Sequence, residues 1–270
     1  MKYLYAIRYA LHSIGILELV ILLIESFTLY FFNSSAFTHF YIRKKKLSIQ
    51  QKKILEENIL FYQRLDAKHQ ECFEHRLATF IRNYKFIGRD KLVITSGTRV
   101  MIGASYVMLT FGNRRYMTDV FNKIIVYPDI FLSQVNQRKH KGEFNPKYKV
   151  VVFSWKHFLE GNAIKDDNLN LGIHEFTHIL HVNSIKNRDV HSLVFRRGYR
   201  ELINYIQENK AVKKELIASA YFREYAFENQ YEFMAVLLEN FIETPKEFKS
   251  KFPRIYRRIK KMLNFNFLDY

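Results

Sequence analysis

Three residues within one five-residue stretch have the types and spacing to bind a metal ion and activate water. His174 and His178 are four positions apart, so on a helix both imidazoles stand on the same face, where they can share one cation. Glu175 adjoins that face and can accept a proton from a water on the metal. In this His-Glu-x-x-His pattern a zinc ion lowers the pKa of its water to about 7. The pattern predicts a Zn²⁺ site with His174 and His178 as ligands and Glu175 as general base.

A third protein ligand must come from another part of the chain, because catalytic zinc usually has three protein ligands and one open position. The metzincin extension is excluded, since His181 and Ser184 occupy the positions where it needs glycine and histidine. Glu232 lies in an apolar stretch of a later predicted helix, where a buried acid needs a cationic partner, and it is the predicted ligand. Glu239 is the alternative, either as ligand or as an acceptor that orients a histidine. Glu228 precedes Glu232 by one turn, near the predicted helix start, where an acid often only stabilises the helix dipole.

The metal pattern requires a helix, and the flanking sequence predicts one near residues 170–183. Asn168 or Asn170 can cap its start. An apolar stripe at helical spacing would pack the back of this helix into the core; its residues are Leu169, Ile173, Phe176 and Leu180.

The rest of the chain indicates an α+β domain, mostly helical with a small mixed sheet. Helical periodicity predicts further helices at residues 47–65, 67–84, 96–111, 191–208, 226–242 and 245–263. Two β-branched and aromatic runs, at residues 123–127 and 149–153, predict strands. The second strand either forms a sheet edge that pairs with an extended peptide or lies inside the sheet.

The two predicted metal helices resemble those of the Mlc titration factor A family of zinc peptidases, which is similar to the catalytic domain of anthrax lethal factor. The resemblance spans roughly residues 50–250 and rests on His-Glu-Phe-Thr-His at 174–178 and on a downstream pattern, Tyr225-x6-Glu232-Phe233-x-Ala235-Val236-x-x-Glu239. It implies a zincin-like fold and zinc bound by His174, His178 and Glu232. It also implies that Glu175 is the general base and that Tyr225 stabilises the oxyanion.

The leading hypothesis is a gluzincin-type zinc metallopeptidase acting on a peptide or protein substrate, with aminopeptidase activity left open. The resemblance also supports a second hypothesis, a regulatory binding protein that sequesters a partner such as a transcriptional regulator, with weak or incidental peptidase activity. His181 departs from the enterobacterial members, which have an acidic residue there. His181 either lies next to the metal ligands and orients one of them, or it is an ordinary structural histidine.

Composition limits the other classes of function. Cys72 is the only cysteine, so disulfides and multi-cysteine zinc sites are excluded and a reducing compartment is favoured. The net charge of +17 would suit nucleic acid, an anionic membrane or an acidic partner. The basic run at 254–261 has the spacing of a helix face that is solvated or lies against anionic lipid. No nucleic-acid motif accompanies it, so no nucleic-acid partner is expected.

Residues 14–32 contain no Lys or Arg, and about 20 apolar residues suffice to cross a bilayer. Glu18 and Glu25 interrupt the stretch, and a basic cluster follows at 43–46. We predict two parts: residues 1–46, a hydrophobic helix with a basic flank, and residues 47–270, the peptidase domain. The predicted location is a single-pass membrane protein with its catalytic domain in the cytoplasm; the alternative is a soluble cytoplasmic protein.

Overall fold

The computed structural model describes residues 15–16, 19–21, 23–24, 26–28, 30–31, 38–41, 43–163, 168–265 and 267. Within these residues, helices surround a small mixed sheet. This arrangement confirms the predicted α+β class.

Six strands form two sheets; their bounds are β1 Lys85–Gly88, β2 Lys123–Tyr127, β3 Phe131–Leu132, β4 Lys139–His140, β5 Gly142–Asn145 and β6 Val150–Ser154. The four-stranded sheet has the order β1, β2, β6, β5, and the pair β3 and β4 is separate. Strands β1, β2 and β6 run parallel, whereas β5 runs antiparallel to β6. Both predicted strands are confirmed, the second one residue later than expected. Because β6 is paired on both sides, it is internal, and β5 forms the edge next to it.

From residue 43 onward the described residues form eleven α-helices: α1 Ile49–Asn58, α2 Leu60–Gln63, α3 Ala67–Asn83, α4 Ser96–Thr110, α5 Trp155–Ala163, α6 Leu171–Lys186, α7 Val190–Glu208, α8 Lys210–Ala218, α9 Gln230–Glu243, α10 Pro245–Lys251 and α11 Pro253–Met262. The predicted break at Asp66 is confirmed, since its side chain caps α3 by accepting from the His69 N–H at 2.8 Å. The helix predicted over 245–263 is two helices. Phe252 is not helical (φ −130°, ψ 62°), because Pro253 disfavours helical backbone at the preceding residue.

Helix α6, which carries His174 and His178, is fixed at its start and along its back. The Asn170 side chain accepts from the Ile173 N–H at 2.9 Å and donates to Glu243 Oε1 at 2.9 Å, so one residue caps α6 and ties it to α9. Ile173 and Phe176 are fully buried, and the Phe176 ring packs 5.6 Å from the Phe153 ring of β6. The sheet and the core therefore set the orientation of the opposite face of α6.

One member of the predicted apolar stripe lies outside the core. Leu169 precedes α6 and is 46% exposed. Asn170, the capping residue, follows it directly, so the chain turns into the helix only after Leu169. The stripe that packs α6 begins at Ile173.

The prediction of a membrane span over residues 14–32 is wrong, and so is the single-pass membrane location that depended on it. No helix formed by the described residues is both long enough and apolar enough to cross a bilayer. The two acids in the stretch oppose insertion by up to about 5 kcal/mol, which nearly cancels the apolar gain. Parts of the stretch, including Glu18 and Glu25, lie outside the described residues.

Replacing Asn170 by alanine should destabilise the protein by about 2 to 3 kcal/mol, because a helix cap and a hydrogen bond to a carboxylate are both lost. Asn170→Ser keeps a capping oxygen but is too short to reach Glu243, so it should recover about 1 kcal/mol. Urea unfolding of the three proteins measures both differences. Equal stability of the alanine variant and the wild type would contradict this role of Asn170.

Candidate metal centre

Helix α6 presents two imidazoles side by side. His174 and His178 are one turn apart, and their Nε2 atoms lie 3.3 Å from each other. His174 is buried, and the rings stand nearly perpendicular with centroids 4.9 Å apart. Two nitrogen lone pairs can therefore converge on one cation at this face, as the sequence pattern predicts.

Glu232 of α9 brings a carboxylate to the same point. Its Oε2 lies 2.9 Å from His174 Nε2, and its Oε1 lies 3.6 Å from His178 Nε2. One ligand atom from each of the three residues lies within 4.8 Å of the others. Asn229 places Glu232 in the first turn of α9, because its side chain accepts from the Glu232 N–H at 3.1 Å.

The three side chains fit a divalent cation. Glu232 Oε2 is buried, and it lies only 2.9 Å from Nε2 of His174. A cation between the two atoms would satisfy both of them. Two imidazole nitrogens and one carboxylate oxygen form the ligand set of hydrolytic zinc sites that keep one position open.

Glu239 holds the other nitrogen of His174. Its Oε1 accepts from His174 Nδ1 at 2.8 Å, and the carboxylate is almost fully buried. This bond fixes the tautomer and leaves Nε2 directed toward Glu232. Of the two roles considered for Glu239, the geometry supports that of an acceptor that orients a histidine.

Arg223 completes this chain of contacts, and sequence reasoning missed it. Its guanidinium donates to the same Oε1 of Glu239 that accepts from His174. It therefore adds a positive charge beside a carboxylate that is almost fully buried. No sequence signal marks this arginine among the 43 basic residues, because the ion pair forms only when the segment before α9 folds onto that helix.

Glu175 is buried beside the ligand face, near the start of β5. Burial raises the pKa of Glu175 to about 7; Glu232 and Glu143 add to this effect, and His174 opposes it. A carboxyl group with a pKa near neutrality can both accept and return a proton. Its position and its acidity suit the role predicted for it.

Tyr225 lies on a short 3₁₀ helix, Glu224–Phe227, at the mouth of the site. Its ring centroid is 6.0 Å from that of His174, and it is 43% exposed. Burial of the hydroxyl and a hydrogen bond to Glu232 raise its pKa, so the phenol keeps its proton as a donor. The tyrosine is thus within reach of the metal ligands, with one side open to solvent.

His181 does not join the metal group. Its ring packs 4.6 Å from Tyr199 and 4.9 Å from Tyr231, measured between centroids. Burial lowers its pKa. Within the described residues its contacts are those of a structural histidine.

The three candidate ligands differ in their pKa values and therefore in their charge. Burial alone would lower the pKa of His174, but the contacts with Glu232 and Glu239 outweigh it and raise the pKa to about 10. Burial and the charge of His174 lower the pKa of His178 to about 4. Burial would raise the pKa of Glu232, yet the adjacent His174 lowers it to about 2. At neutral pH His174 is therefore the positively charged member of the three candidate ligands, and His178 is neutral.

Comparison with known proteins shows which family this chain matches. The model of the glucose-regulated metallo-peptidase M90 family matches residues 35–264. An uncharacterized protein of Synechocystis sp. is 24% identical over 234 residues, which cover 77% of this chain and 81% of its own. The family match includes both helices that supply the candidate ligands.

Binding of Zn²⁺ should release about one proton at neutral pH, because Nε2 of the charged His174 must lose its proton before it can bind the metal, whereas His178 is already neutral. The affinity should then rise about tenfold per pH unit between pH 6 and 8. Calorimetric titrations in buffers of different ionisation enthalpy measure the proton count. Zinc binding with no proton release would contradict this assignment of charges.

Proposed function

The chain belongs to the glucose-regulated metallo-peptidase M90 family, and on that premise we propose that it is a zinc-dependent peptidase with a zincin-like fold. The observation that carries the proposal is the convergence of His174, His178 and Glu232 within 4.8 Å, with a buried Glu175 beside them. The spacing of the third ligand, on a separate helix, is that of a gluzincin-type site. The substrate class is a peptide or protein.

The choice of zinc follows from the donor atoms. Two imidazoles and one carboxylate suit Zn²⁺, whereas Ca²⁺ and Mg²⁺ prefer all-oxygen ligand sets. Zinc bound there would supply Lewis acidity, which activates water and polarises the substrate carbonyl. The remaining steps belong to side chains of this protein.

Glu175 accepts the proton of the attacking water and returns it to the leaving amine. Its pKa of about 7 suits both transfers, because a catalytic acid or base works best near the operating pH. The hydroxyl of Tyr225 donates to the oxygen on which negative charge develops. Its partial exposure leaves it room to turn from Glu232 to a substrate.

Strand β5 offers a place for the substrate backbone. It is an edge of the four-stranded sheet, and its first residue lies against Glu175. An extended peptide can add to such an edge through main-chain hydrogen bonds. A peptide bound in this way would run past the metal ligands.

Glu175→Gln should lower peptide hydrolysis by about 10²- to 10⁴-fold, because the amide cannot accept the proton. Zinc content should stay at one ion per chain, since Glu175 is not a ligand in this proposal. Glu201→Gln, on the exposed side of α7, is the control and should change neither quantity. Full turnover by the Glu175 variant would overturn the mechanism, and peptide hydrolysis insensitive to chelators would overturn the zinc dependence.

A further inference from the structure

A glycine lies directly against the carboxylate of Glu175. Gly142 is the first residue of β5, and a Cβ built on it would lie 2.4 Å from Glu175 Oε1 and 2.8 Å from Glu175 Cγ. It would also lie 2.8 Å from Leu171 Cδ1. A Cβ atom essentially never lies closer than 3.0 Å to a heavy atom outside its own residue and the two adjacent residues. The missing side chain at position 142 is therefore what leaves room for this carboxylate.

The backbone on either side of this contact is held in place. The carbonyl of Lys141 accepts from the Ser154 N–H at 2.7 Å, and Gly142 is paired with the fully buried Phe153. On the other side, α6 is anchored by Ile173, whose side chain is also fully buried. Moving either backbone would disturb the sheet ladder or the core.

The side chain of Glu175 is the element that can give way. The three atoms that the added methyl group would meet, Oε1 and Cγ of Glu175 and Cδ1 of Leu171, all belong to side chains. The methyl group therefore displaces the Glu175 side chain, together with the end of Leu171, before it displaces the backbone of β5 or α6. Bringing the contact from 2.4 Å to the ordinary 3.4 Å requires a shift of about 1 Å. Gly142 has a negative φ, so alanine can adopt the backbone conformation there.

We propose that Gly142 is a positioning residue for the reaction: its lack of a side chain sets the place of the Glu175 carboxylate beside the metal ligands. The inference rests on the proposed function, because it assigns Gly142 through the role of Glu175 as base. Misplacement of a catalytic group by about 1 Å can reduce a rate by about 10². The expected effect is therefore on turnover, with folding and metal binding preserved.

The test is Gly142→Ala in the full chain. The variant should bind one zinc ion and melt close to the wild type, while kcat falls about 10²-fold or more and KM changes little. The crystal structure of the variant should show the Glu175 carboxylate displaced by about 1 Å, with β5 and α6 in their original places. Gly97→Ala is the matched control, because a Cβ there would meet only Thr95 Oγ1 at 3.5 Å; it should leave the rate unchanged.

A double-mutant cycle separates positioning from general packing. If Gly142 acts only through Glu175, then adding Gly142→Ala to Glu175→Gln should lower the residual rate no further. Additive losses would overturn the proposal. An unfolded or zinc-free Gly142→Ala variant would also overturn it, because either result would mean that Gly142 is needed for packing of the fold and not for the position of Glu175.

Failure of this inference is distinguishable from failure of the proposed function. A fully active Gly142→Ala variant, in a protein whose Glu175→Gln variant is inactive, overturns the role of Gly142 alone. A wild-type protein that binds zinc but hydrolyses no peptide overturns the proposed function. In that case the crystal structure of the Gly142→Ala variant still shows whether residue 142 sets the position of the Glu175 carboxylate.

Discussion

The candidate site depends on His174 being held at both of its nitrogens. Nδ1 donates to Glu239, and Nε2 faces Glu232, so a single ring joins two carboxylates of α9 to helix α6. The two acids are seven residues apart and share one face of α9. Fixing this ring fixes the relation of the two helices, and with it the positions of the three candidate ligands.

This arrangement concentrates charge in a place from which water is largely excluded. Glu175 and Glu239 are both buried, and burial raises the pKa of each carboxyl group. Arg223 and the proton on His174 offset part of the negative charge. A divalent cation bound by Glu232 and the histidines would supply the rest, so metal binding and the stability of the α6 and α9 pair are coupled. Glu175, which is not a ligand, keeps an acidity suited to proton transfer.

The parts of the site that sequence could predict are those encoded by local spacing. His174 and His178 share a face because they are four residues apart, and the apolar residues of α6 decide which face is buried. Glu232 was expected because an acid in an apolar helix needs a partner. The sequence leaves two roles for Glu239, metal ligand or acceptor that orients a histidine. Only the observed contact with His174 Nδ1 favours the second role.

What sequence could not predict depends on contacts between distant segments. Arg223 is one basic residue among many until α9 folds next to it. Strand β5 has the sequence Gly-Glu-Phe-Asn, in which Gly and Asn disfavour strands, so only its pairing with β6 defines it. The membrane span predicted over residues 14–32 is wrong because the insertion free energy of this stretch is nearly balanced, so that small contributions decide the outcome.

We propose that one metal ion joins α6 and α9 through His174, His178 and Glu232. Anomalous diffraction recorded at the zinc edge, from crystals grown with stoichiometric Zn²⁺, locates such an ion. We expect a single strong peak about 2.0 to 2.2 Å from His174 Nε2, His178 Nε2 and a carboxylate oxygen of Glu232. A peak coordinated by other residues, or no peak in protein that retains its fold, would contradict it.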